Sequence, residues 1–202
     1  MKKTLNLLLL FLFPLFLMSA CTSMPDPKGK PMPAMTFNHI APVMMQVNNV
    51  AIELMEDSLQ AQPHAPFIKP LPVVAENYFA SKVTPAMNNS AVDLAGRSFT
   101  VQIHEASVAH NYVPAGREMA RFLGVGGLDE YVLNVAVLLL LETPELKKTV
   151  KMSAGRTIRV NEHSSIADRE RNQLVALEEL LKTLDTEVER VIRAEYSDYV
   201  MN

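Results

Sequence analysis

Two periodicities divide the chain. Val43, Met45 and Val47 alternate, and Val50, Ile52 and Leu54 alternate on a new phase. Such a period of two predicts strands with one buried face. The change of phase at Asn48-Asn49 predicts a bulge or turn between them. Residues 60–70 hold Pro63, Pro66 and Pro70 and read as loop or extended chain. Pro72 suits the first turn of a helix, and Leu71, Val74, Ala75, Tyr78, Phe79, Lys82 and Val83 follow at helical spacing until Pro85 and Asn88-Asn89. Phe99, Val101 and Ile103 alternate with Thr100, Gln102 and His104, which predicts a strand up to about His110. Asp129 to Glu142 is the strongest strand signal. Its end, Leu138 to Leu141, is apolar on both faces, as expected of a central strand. Pro144-Glu145 predicts a turn, and Thr149 to Val160 a further strand with Gly155 as a bulge.

The last block is helical. Leu174, Leu177, Leu181, Leu184, Val188 and Val191 recur at steps of three and four, behind a cap-like Ser165 and Asp168. A helix over about 164–200 follows. Its apolar stripe either crosses the sheet or forms a coiled-coil seam, and Glu187 to Tyr199 can project towards a partner. Between His110 and Asp129 the glycines Gly116, Gly124, Gly126 and Gly127 leave only a short helix candidate, Arg117 to Leu123. The order strand, helix, strand, strand, strand, helix predicts an α+β fold. Its sheet, antiparallel or mixed, has about four strands, with helices on one face including the long C-terminal one.

The first 42 residues do not belong to that pattern. Lys2 and Lys3 precede a nearly unbroken Leu and Phe run from Leu5 to Leu17, and Met18-Ser19-Ala20 leads into Cys21, the only cysteine. Charged, apolar and small-residue regions in that order are a secretory signal. The run has about a dozen residues, against roughly 20 for a bilayer-spanning helix, and Pro14 interrupts it. An uncleaved anchor helix and an ordinary cleaved signal remain the alternatives. Pro25, Pro27, Pro31, Pro33 and Pro42 mark residues 21–42 as an extended tether, with a reach of up to ~60 Å at ~3.1 Å per residue. The domains expected are thus a signal over 1–20, a tether over 21–42 and a folded unit over 43–202.

The lone cysteine after small residues resembles the lipobox of bacterial lipoproteins, with Met18 where such signals usually carry Leu. The resemblance implies a diacylglycerol on the Cys21 thiol, cleavage before Cys21 and acylation of the new amine. The partner would then be the membrane, through lipid. Thr22 in place of Asp implies an outer-membrane, periplasm-facing location, with the inner membrane as the alternative. The order of elements from about residue 17 to 200 also resembles auxiliary lipoproteins of bacterial ABC-type lipid transport systems. That implies docking on an envelope protein partner, and no binding residue transfers with it.

Charge and chemistry narrow the function further. Lys2 and Lys3 would leave with the signal, so 17 basic side chains would face 22 acidic ones, a net charge of about −5. This argues against nucleic acid as a partner. With no second cysteine, no intrachain disulfide is available, and the core must supply the stability. The five histidines, His39, His64, His104, His110 and His163, form no ligand pair, so no metal is expected. His104 and His110 share strand parity but lie about 20 Å apart at ~3.3 Å per residue. The methionines at 24, 32, 35, 44 and 45 lack regular spacing and read as adaptable packing. Glu53, Glu56 and Asp57 read as a solvated acidic group. Ser58, Ser98 and Ser107 lack a nucleophile-elbow setting, and Gly124 to Gly127 lacks both phosphate-loop spacings. Neither an enzyme nor a cofactor is expected. The sequence therefore predicts a non-catalytic binding or auxiliary lipoprotein of the cell envelope. The alternative is a carrier of lipid or a small molecule, with Tyr78, Phe79, Leu139, Leu141 and Leu177 lining an apolar groove between the long helix and the sheet, or simply forming the core.

Overall fold

The structure is a computed structural model, and it describes residues 37, 40–56, 67–86, 94–114 and 126–201. The signal, Cys21, the tether up to residue 36, and the short helix candidate at Arg117 to Leu123 lie outside the described residues. The described elements all belong to one compact unit, Phe37–Asn202.

Among the described residues, six strands and two α-helices follow in the order β1 (Val43–Met45), β2 (Asn49–Leu54), α1 (Leu71–Lys82), β3 (Val83–Pro85), β4 (Ser98–Val113), β5 (Leu128–Glu142), β6 (Lys147–Asn161) and α2 (Ile166–Glu195). The main sheet has the order β2-β4-β5-β6. β4, β5 and β6 form an antiparallel meander, and β2 pairs parallel to β4, with Ile52 opposite Val101. The sheet is thus mixed, and β5, the strand with the densest apolar run, lies inside it as its pattern predicts. Its side chains alternate. Leu133, Val135, Val137, Leu139 and Leu141 are buried, whereas Leu138 and Leu140 are half-buried on the opposite face.

Both helices pack on the face that carries the buried row. α1 begins behind Pro70 with Pro72 in its first turn, and buries Val74, Ala75, Tyr78 and Phe79. α2 begins at Ser165, whose Oγ accepts a hydrogen bond from the Asp168 amide at 3.1 Å. This satisfies one of the four amides that a helix start leaves open. Its stripe, Leu177, Leu180, Leu184, Val188 and Ile192, is fully buried, each such side chain contributing about 1.5–3 kcal/mol. The stripe is therefore an internal packing face and not a coiled-coil seam. Its C-terminal half does not project. Val188, Ile192 and Tyr196 are enclosed, and the chain turns after Glu195 through a 3-10 turn at Ser197–Tyr199. Tyr196 ends the helix by donating its hydroxyl to the Leu139 carbonyl at 2.7 Å and setting its ring edge-on to Phe99 at 5.4 Å.

Three local features depart from the sequence expectations. The phase change at Asn48-Asn49 is a passage between sheets. β1 pairs parallel to β3 in a separate two-stranded sheet, while β2 joins the main one. Gly155 is no bulge. It pairs in regular register with Asn134, and an added Cβ would lie 2.8 Å from Asn134 Oδ1. The irregularity sits in β4 instead, between Ile103 and Glu105. The extra residue there, His104, shifts the phase, so Phe99, Val101 and Ile103 face the core before it and Ala106 and Val108 after it.

Candidate functional site

The residues predicted to line a groove lie together in the interior. Tyr78 and Phe79 come from α1, Leu139 and Leu141 from β5, and Leu177 from α2, all without measurable exposure. The Tyr78 and Phe79 rings stand edge-to-face at 5.0 Å. Tyr78 keeps one polar contact, donating its hydroxyl to Asp185 Oδ1 at 3.0 Å. Burial, and then the Asp185 charge, push its hydroxyl far above the ordinary tyrosine range. An acyl chain entering between α2 and the sheet would have to part these side chains.

Beside Tyr78 lies an ionic cluster around Lys82, whose helical spacing sets it with the apolar positions of α1 but does not announce its partners. Lys82, fully enclosed, places its ammonium 2.8 Å from Asp185 Oδ1 and 2.7 Å from Glu189 Oε1, and donates to the Ala41 carbonyl at 3.2 Å. One α1 lysine thereby joins two acids one turn apart on α2 to the segment ahead of β1. Every bond of the cluster is internal, so its role is positional: it fixes α1 against α2.

A second polar group lies at the opposite end of the sheet. Asp129, buried at the start of β5, lies 3.0 Å from His110 Nε2 and 2.7 Å from Arg169 Nη1. His110 stacks on Tyr131 at 4.9 Å. The bulge in β4 explains this position. It breaks the shared parity expected of His104 and His110 and turns His110 to the helix side. Arg169 continues to the Glu162 and Ser164 carbonyls, so the start of α2 is bound to the end of β6. Gly127 admits the Tyr112 ring against the backbone, where an added Cβ would lie 2.3 Å from Tyr112 Cζ, and the Tyr112 hydroxyl reaches Glu162 Oε2 at 2.8 Å. This is a use of Gly127 that the spacing of the glycines does not reveal.

Glu53 accepts from Gln102 at 2.9 Å on the sheet surface, and Ser107 donates to Glu105 at 2.7 Å. Among the described residues no group of three or more His, Cys, Asp or Glu side chains is placed to hold a metal ion. Nor is any helix among them long and apolar enough to cross a membrane. What the fold does expose is the second face of the main sheet. Along β5 that face carries Val132, Ala136, Leu138 and Leu140, all half-buried. Thr149, Lys151, Ser153 and Thr157 of β6 flank the row and are exposed.

No family model matches the chain, and no curated protein does. Among solved structures it is similar, distantly, to a bacterial lipoprotein: the crystal structure, at 2.35 Å, of a minor lipoprotein from Acinetobacter baumannii. The match has a TM-score of 0.38 and 12% identity, and covers 75% of this chain and 95% of that one.

Proposed function

We propose that this chain is a lipid-anchored lipoprotein of the outer membrane, facing the periplasm. Its folded unit acts as a non-catalytic binding or auxiliary component of a cell-envelope assembly or transport system. The signal ending at Cys21 supports the anchor. The single observation that carries the binding role is the face of the main sheet on which, among the described residues, no helix lies. Both helices lie on the other face, and Val132, Leu138 and Leu140 remain half-buried in one row. A two-layer sheet with an apolar row on its outer side gains by covering it. The ionic clusters are satisfied internally and leave no reactive group poised over a cleft.

Two measurements test this reading. Cys21→Ser should release the protein from membranes, and retention with an uncut signal contradicts lipid anchoring. Crosslinking in intact envelopes should recover a defined assembly with the wild-type chain, and Leu138→Asp with Leu140→Asp should abolish that recovery without unfolding the domain. Unchanged recovery removes the sheet face from the proposal.

A further inference from the structure

The two-stranded sheet of β1 and β3 gains a third segment from the C-terminus. Met45 bridges to Val200, the Met201 amide donates to the Met44 carbonyl at 2.9 Å, and the Gln46 amide donates to the Tyr199 carbonyl at 2.6 Å. On this small sheet lies a cleft of about 790 Å³, away from the core between α2 and the main sheet. Met44, Thr84 and Met201 line it from the three segments, with the more buried Val47 and Ala86 beside them. Its volume falls within the roughly 300–1,000 Å³ of small-molecule sites, and such sites are mainly apolar with a few polar groups. The two methionines give it soft, adaptable walls.

Arg97 brings a charge beside this cleft, although it is not one of the lining residues. Its carbonyl accepts from the amide of Asn48, a lining residue, at 3.0 Å. Its guanidinium carbon lies 5.9 Å from the centre of the Tyr199 ring, two residues before Met201. Among the described residues no carboxylate pairs with it. Asp198, next to that tyrosine, takes a hydrogen bond from Ser197 Oγ at 3.4 Å and forms no ion pair. A guanidinium is a fork of donors matched to a carboxylate or phosphate. An uncharged apolar ligand would leave that fork on the Tyr199 ring without an anion.

We infer that this cleft binds the acyl chain of an anionic amphiphile, with Arg97 holding the head group. The shared chemistry, one acyl chain and one anionic head, is offered by a free fatty acid and by an anionic phospholipid. The inference goes beyond docking through the main sheet and involves a different surface.

Photocrosslinking of the full chain in its native membranes tests it. Three diazirine-bearing probes are compared: palmitic acid, the alcohol of the same length, and phosphatidylglycerol. An anionic probe should label the peptides holding Met44, Thr84 to Ala86, or Met201, about tenfold more than the alcohol does, as loss of a charge-assisted hydrogen bond implies. The stronger of the two anionic probes identifies the source. Arg97→Gln should reduce that labelling to the level of the alcohol, and Arg97→Lys should restore part of it. Circular dichroism of both variants should match the parent. Equal labelling by acid and alcohol, labelling outside these peptides, or labelling that Arg97→Gln leaves unchanged in a folded variant would each overturn the inference.

Discussion

Lys82 Nζ lies 2.7 Å from Glu189 Oε1, with the lysine wholly enclosed and the glutamate side chain 38% exposed. The asymmetry decides what each substitution does. Lys82→Met keeps the stem's packing and leaves two acids, Asp185 and Glu189, that solvent already reaches. The cost should be about 1 kcal/mol, in the range of an exposed pair. Asp185→Asn with Glu189→Gln leaves an enclosed ammonium without a counter-charge, and should cost about 3–5 kcal/mol. Urea unfolding of the two variants checks the order. Equal losses would mean that the lysine finds water or another acceptor.

High pH should unfold the domain through its enclosed tyrosines. Burial, with Glu195 adding, pushes the Tyr196 hydroxyl up to about 12, and burial and Asp185 raise Tyr78 as well. An unfolded chain releases these protons near 10. Above that pH the folded state holds more protons than the unfolded one, so stability falls as pH rises. The contribution is complete below pH 10 and is lost through about pH 12, by an amount of order 2 kcal/mol for Tyr196. Denaturation midpoints at pH 8 to 12 should show this decline, and Tyr196→Phe should flatten it. A midpoint independent of pH over that window would contradict the enclosure of both hydroxyls.

The sequence shows the elements more clearly than it shows their contacts. Leu138 to Leu141, apolar on both faces, marks β5 as interior, and the three-four repeat from Leu174 to Val191 marks α2, because burial imposes period on side chains. Ser165 marks the start of α2 through its own chemistry. The pairing of β1 with β3 leaves no such trace. Each is three residues long, they are nearly 40 positions apart, and register between distant segments is written in no local pattern. Lys82 shares the helical spacing of the apolar positions of α1, but its partners leave no trace there, since they are two acids more than 100 positions away. The bulge at His104 escapes for a similar reason, as a single inserted residue leaves the alternation on each side intact. Cys21 is legible as the proposed lipidation site because its setting is local and chemical.

Gly96 is the one residue with positive φ among those described, at 75°, in the turn leading into β4. A side chain there pays the left-handed penalty of roughly 1–2 kcal/mol, and an added Cβ would meet Pro144 Cγ at 3.1 Å. Gly96→Ala should therefore lower stability by about that amount, and Gly96→Asn by less, since Asn tolerates this region better. Thermal unfolding compares the two. A neutral Gly96→Ala would show that the turn relaxes to negative φ.

Asp129 joins three elements: β5 through its backbone, β4 through His110 at 3.0 Å, and α2 through Arg169 at 2.7 Å. Its side chain is 11% exposed, so its charge needs a partner in place. Arg169→Met removes the strong partner and also the donors to the Glu162 and Ser164 carbonyls. It should cost about 3 kcal/mol, as breaking a buried pair does. Asp129→Asn keeps the shape, removes the charge and retains an oxygen acceptor, and should cost less. In the double variant the buried charge no longer exists, so the loss should fall short of the sum by about 1–2 kcal/mol. Hydrogen exchange supplies a second readout. The first turn of α2 should lose protection in Arg169→Met while the Leu177 to Ile192 segment keeps it, because that segment is held by its own buried stripe. Additive losses, or protection lost evenly along α2, would show that Arg169 acts by filling space and that Asp129 does not depend on it.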